Sequence, residues 1–113
     1  METRPEWEWG TLSVAVHSTE RAVGGADGRT GWGCLYVSHL WVTSARRGEG
    51  IGARIMSVME STARARGCTG VWLDTFSFQA KPFYESIGYR QFGELADFSP
   101  GHVRHFLYKR LEI

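Results

Sequence analysis

Apolar and polar positions alternate from Thr11 to His17, with Leu12, Val14 and Val16 on one side of an extended chain. A period of two predicts a half-buried strand. Arg21 to Ala26 reads as a second, short strand. Asp27-Gly28-Arg29-Thr30-Gly31 reads as the turn after it, because glycine enters positive φ at little cost. Gly33 to Val42 is nearly continuous in apolarity and rich in β-branched and aromatic residues, as a central strand is. Beyond it the period changes. Ile51, Ile55, Val58, Met59, Thr62 and Ala63 recur at helical spacing, with Arg54, Ser57, Ser61 and Arg64 on the other face. A helix is expected from about Gly50 to Arg66, stopped by Gly67 in a left-handed cap. Val71 to Thr75 is a further buried strand, which completes a parallel β-α-β unit with a right-handed crossover. Pro82 suits the first turn of a second helix that runs to about Ile87 and closes at Gly88. Tyr89 to Leu95 and Val103 to Leu111 form an antiparallel hairpin about Ser99-Pro100-Gly101. The order β-β-β-α-β-α-β-β predicts an α/β (α+β) fold, a mixed and mostly antiparallel sheet around one central parallel unit.

Composition narrows the class. At 113 residues, 42% hydrophobic and 22% charged, residues 1–113 make one globular domain. The net charge of +1 argues against nucleic-acid or membrane partners. No apolar run is long enough to span a bilayer, and the acidic, Trp-bearing stretch Met1 to Gly10 is unlike a signal peptide. A cytoplasmic setting is expected, with Cys34 and Cys68 as free thiols. No metal site is expected, since His102 and His105 lack a Cys or carboxylate to complete a tetrahedral set. Trp32, Trp41 and Trp72 read as core or sheet-face aromatics.

The candidate chemistry lies in Gly48, Gly50 and Gly52, between the central strand and the helix. One reading is a glycine-rich connection that merely turns the chain. A second is the dinucleotide fingerprint G-x-G-x-x-A, matched by Gly48 to Ala53 with Asp74 downstream. It fails because Thr43 to Arg47 separate the first glycine from the strand, and no second mononucleotide half follows. The third joins Arg47 to Gly50 and Gly52 as R-x-x-G-x-G. Unpaired N–H groups and the dipole at a helix N-terminus attract phosphate, glycines let its oxygens approach, and Arg46 and Arg47 add charge. That is a pyrophosphate cradle without a metal.

The run LWVTSARRGEGIGARIM resembles the acyl-CoA-binding motif of the GNAT superfamily of N-acetyltransferases. LDTFSFQAKPFYESIGY resembles that superfamily's next segment, with Ala80, Tyr84, Gly88 and Tyr89 at its marked positions, and RQFGELADFSPGHVRHFLYKRL its closing hairpin. The likeness covers about Leu12 to Leu111. It implies the GNAT fold, here without the first strand and first two helices, because only about ten residues precede the Leu12 strand. It implies acetyl-CoA as co-substrate, with the backbone of Leu40, Trp41 and Val42 pairing with its pantetheine arm. Arg46, Arg47, Gly48, Glu49, Gly50, Ile51, Gly52 and Ala53 would make up the pyrophosphate loop, and Ser77 would stand where many members have a pantetheine-contacting Asn. Tyr84 matches the tyrosine that protonates the departing thiolate, or else packs its ring and bonds locally. Many members carry a general-base Glu on the central strand. Here Ser38 and His39 stand there, and strand alternation lets only one of them face the cleft, so the base is His39 or bulk water. Asp74 contacts an amine substrate or caps the adjoining loop. The implied activity is acetyl transfer from acetyl-CoA to a primary amine of a small molecule or peptide, by direct attack in a ternary complex. The alternative is a catalytically silent acyl-CoA-binding module. The short N-terminus further implies a homodimer, with Trp7 and Trp9 as candidate contacts.

Overall fold

A computed structural model describes residues 9–76 and 80–112. The strands are β1 (Gly10–Ser18), β2 (Arg21–Gly31), β3 (Cys34–Val42), β4 (Gly70–Thr75), β5 (Arg90–Ser99) and β6 (His102–Arg110). They form one sheet in the order β1-β2-β3-β4-β6-β5. Only β3 and β4 run parallel, and α1 (Ile51–Ala65) makes the crossover between them. The helix α2 (Ala80–Ser86) links β4 to β5. The expected fold class and element order are those observed.

Three local expectations are corrected. The segment Asp27 to Gly31 is not a turn: β2 continues through it, and the chain reverses at Trp32 and Gly33, both at positive φ. Trp32 is therefore no core aromatic but a turn residue, 63% exposed. The β2 glycines serve close approach instead of reversal. A Cβ on Gly24 would meet Ile55 of α1 at 2.9 Å, and one on Gly31 would meet the Trp9 ring at 2.8 Å.

The second correction concerns α1. Its buried stripe is Ile51, Ile55, Met56, Met59, Glu60 and Ala63, while Val58 is exposed. The helix is turned so that Met56 and Glu60 face inward, because Glu60 has buried partners. Tyr89 Oη donates to Glu60 Oε2 at 2.8 Å, and Lys109 Nζ donates to Glu60 Oε1 and the Ile87 carbonyl, both at 2.9 Å. The ends of α1 are as expected, with Gly50 as the left-handed N-cap and Gly67 at φ +84°. The third correction is in β3. Opposite Asp27 and Gly28 of β2 stand His39 and Val37, so Ser38 is an extra residue in a bulge. Leu35 and Val37 pack on the core side before the bulge, and Leu40 and Val42 after it.

Both helices lie on the core face: α1 packs on β1, β2 and β3, and Phe83 of α2 sits 3.2 Å from the place of a Cβ on Gly52. Leu35, Val71, Leu73 and Leu107 supply the buried sheet residues there. The opposite face carries Tyr36, Trp41, Trp72, Asp74, Arg104, Phe106 and Tyr108, alternate to those residues. No described element covers it.

Candidate active site

The backbone pairing of β3 with β4 ends at Val37 and Leu73. Both strands go on. β3 stays paired to β2 as far as Val42, and β4 stays paired to β6 as far as Thr75. Among the described residues, Ser38 to Val42 therefore has no strand on its β4 side, and the sheet forks there. A strand edge that leaves its N–H and C=O groups unpaired offers them to an extended ligand.

The chain leaves β3 through a single 3-10 turn, Ser44–Arg46, and reaches α1 through Arg47 to Gly50. Gly48 and Gly50 adopt φ of +85° and +79°, and a Cβ on either would meet nothing within 4 Å. The loop is open on its outer side. Gly50 has no side chain to cap α1, so the N–H groups of Ile51, Gly52 and Ala53 point out of the helix end without an N-cap acceptor. Gly52 differs from its neighbours, since its missing Cβ makes room for Phe83. Arg46 is ion-paired with Glu49, Nε lying 3.0 Å from both carboxylate oxygens, so Glu49 orients an arginine. Arg47 Nε reaches back to the Val42 carbonyl at 3.4 Å. The cradle fits a diphosphate: backbone donors, no side chain in the way, and two guanidinium groups at its edge. An open cavity of about 570 Å³, lined by Ser18 to Arg21, Val23 and Arg46, adjoins it.

Tyr84 projects from α2 into the core face, 9% exposed, edge-on to Phe83 and Tyr89. Burial, with a contribution from the Asp74 charge, pushes its phenol up to about 12. A hydroxyl so placed keeps its proton at any physiological pH, as a proton donor must. Asp74 is the first β4 residue past the last β3 pair. It accepts from Tyr36 Oη at 2.8 Å and from Arg104 Nε at 2.7 Å. Burial and the bond to Asp74 raise the Tyr36 phenol, and the same carboxylate raises Arg104. Arg104 lies over the Phe106 ring at 5.1 Å and the Phe76 ring at 5.8 Å.

The bulge corrects the expectation that Ser38 and His39 alternate. Ser38 Oγ donates to the Asp27 carbonyl at 3.0 Å, and both residues are exposed. With Leu40 on the core side, His39 stands on the open face at the fork. Trp41 lies on that face against Gly25. Ser77 and Trp7 lie outside the described residues. His102 is exposed and His105 buried, on opposite faces of β6, and among the described residues no three His, Cys, Asp or Glu side chains gather as metal ligands. Cys68 is buried, which raises its thiol, and Cys34 is partly so.

The site thus combines a fork, a glycine cradle and a buried tyrosine on the core side, and the profile of the Acetyltransferase (GNAT) family matches residues 1–89. The chain belongs to the GNAT acetyltransferase family. It is 37% identical over 112 residues to the blasticidin-S acetyltransferase of Streptomyces morookaense, a span of 98% of this chain and 81% of that one. An acetyltransferase crystal structure from Bacillus cereus ATCC 14579 superposes with a TM-score of 0.86 at 34% identity, covering 94% of this chain and 76% of its own. An aminoglycoside 6'-N-acetyltransferase complexed with coenzyme A shares the fold at a TM-score of 0.83 and 20% identity, over 91% of this chain and 74% of its own. Among the described residues no helix is long and apolar enough to cross a membrane.

Sequence reasoning missed the partners of the site. Tyr36 and Trp72 stack at 4.3 Å on the same face as Asp74, a period-of-two signal that was readable in both strands. Their meeting with Arg104 depends on β4 pairing with β6 instead of β5.

Proposed function

We propose that this acetyltransferase moves an acetyl group from acetyl-CoA to a primary amine by direct attack within a ternary complex. The fork between β3 and β4 is the observation that carries the reading. It opens the edge of Leu40, Trp41 and Val42 beside the glycine cradle, on the sheet whose core face carries Tyr84. The thioester, when bound, supplies an acyl carbon activated toward amines. Gly48 to Ala53 hold the diphosphate through backbone N–H groups, with Arg47 and the Arg46–Glu49 pair at the rim. A β3 backbone N–H at the fork stabilises negative charge that grows on the acyl oxygen. Tyr84 Oη holds a proton for the departing thiolate. Holding both reactants in the fork supplies much of the rate, with no covalent attachment to the protein. His39, on the open face of the fork, is the side chain available to take the amine proton.

Thermal-shift titration with acetyl-CoA, longer acyl-CoAs and NAD tests the donor. Thiol release over an amine panel tests the acceptor, and blasticidin S, named for the relative above, is the first amine to try. Stabilisation by acetyl-CoA with turnover of an amine supports the reading. No shift with any CoA thioester sinks it. A shift without turnover of any amine assigns the chain to the silent acyl-CoA-binding class, a reading favoured by Ser38 at the bulge.

A further inference from the structure

The core face of the fork is filled by α1 and α2, so a second reactant reaches it from the other side of the sheet. That side is built at the fork by Tyr36 of β3, Asp74 of β4 and Arg104 of β6. Tyr36 lies one residue before the last β3–β4 pair and Asp74 one residue after it. Their side chains therefore span the point where the strands part. The Tyr36 phenol is held by its ring contact with Trp72 and by the 2.8 Å bond to Asp74 Oδ1. A carboxylate only accepts hydrogen bonds, so Tyr36 is the donor in that pair. Its proton is committed to Asp74, and the phenolic oxygen is left as an acceptor that faces Arg104 on one side and is shared with any further donor on the other. Arg104, at 2.7 Å from Asp74 Oδ2, keeps the carboxylate in place and shares its charge. Such a group, fixed at the mouth of the fork, matches one thing an attacking amine must present: an N–H.

We infer that Tyr36 is the acceptor-orienting residue: the incoming amine donates an N–H to Tyr36 Oη, which aims its lone pair into the fork, while Asp74 is a positioning residue that holds the phenol in the accepting state. The inference rests on the acetyl-transfer reading above. It concerns only the acceptor side, so the donor side serves as its internal control.

The experiment compares the parent with Tyr36→Phe and Asp74→Asn. Each is measured for thermal stabilisation by acetyl-CoA and for thiol release with the best amine of the panel. In Tyr36→Phe the acetyl-CoA shift stays at the parental value. Its kcat/KM for the amine falls roughly three- to tenfold, the loss of one hydrogen bond on a face open to solvent. Asp74→Asn raises the KM for the amine and leaves the KM for acetyl-CoA unchanged, a split that simple loss of stability does not produce. Tyr36→Phe within twofold of the parent on the amine overturns the inference. So does a loss shared equally by donor and acceptor. A parent that gives neither acetyl-CoA shift nor amine turnover overturns the acetyl-transfer reading, and the role of Tyr36 with it.

Discussion

Gly50→Asp separates the cradle's electrostatics from its folding. Gly50 caps α1 at φ +79° with nothing within 4 Å of the place of a Cβ, so an aspartate starts into open space. Two local effects on stability oppose each other. A non-glycine residue in the left-handed region costs about 1–2 kcal/mol, least for Asn and Asp. An Asp at the N-terminus of a helix returns about 1 kcal/mol through capping and the dipole. The melting temperature should therefore move by only a few degrees. Donor affinity should not survive. A carboxylate ~6 Å from each charge of a diphosphate costs roughly 1.5–3 kcal/mol at an effective dielectric of about 20–40. That is a rise in Kd for acetyl-CoA of about 10- to 150-fold per charge pair, smaller at high salt. Gly50→Asn has the same shape without the charge and should keep most of the affinity. Calorimetric titration of acetyl-CoA into the parent and both variants, at low and high salt, reads the difference. Equal affinity in the Asp and Asn variants, or a Gly50→Asp Kd within threefold of the parent, refutes the cradle.

Gly52→Asp should lose stability as well as binding, because its side chain meets Phe83 where Gly50→Asp meets open space; melting curves without ligand show the contrast. Tyr84→Phe should lower kcat and leave acetyl-CoA affinity unchanged, and an unaltered kcat removes Tyr84 from the chemistry. The Tyr84 phenol is raised from 10.0 to about 12 in the folded state. The proton it retains therefore favours the fold fully below pH 10, and that contribution is lost as pH rises toward 12. Denaturant titrations should accordingly show falling stability above pH 10, less steeply in the Phe variant. Glu60→Ala strands a buried tyrosine hydroxyl and a lysine at once, a cost of about 2–4 kcal/mol and roughly 10 °C in Tm. A change under about 2 °C would mean the network carries no stability.

Strand and helix positions were largely readable because each depends on a local period: 3.6 for α1, two for β1, capping glycines at Gly50 and Gly67. What escaped depends on contacts far apart along the chain. Glu60 was set on no face, although Met56, Glu60 and Ala63 share the i, i+4, i+7 spacing of a stripe. Charged residues are read as outward, and its partners Tyr89 and Lys109 lie 29 and 49 residues away. Gly28 and Gly31 read as a turn because their neighbours, Met59 of α1 and the Trp9 ring, are invisible from local composition. The Ser38 bulge left no signal in β3 itself, since an extra residue shows only against the strand opposite. The cradle was legible because loop and helix start are contiguous. The fork was legible only through the family resemblance, because it is a difference in length between two ladders.

The bareness of β2 also orders the folding of the chain. Gly24, Gly25, Gly28 and Gly31 contribute no side chain to hold the hairpin with β1 together, and each adds backbone entropy that must be lost. The β1–β2 hairpin therefore gains little until Ile51, Ile55 and Met59 of α1 arrive to cover it. In a folding transition state, the β3-α1-β4 unit, which encloses the fork, should be formed first and β1–β2 added to it later. Substitutions at Leu35, Ile55 and Val71 should then slow folding, and substitutions in β1 should mainly speed unfolding.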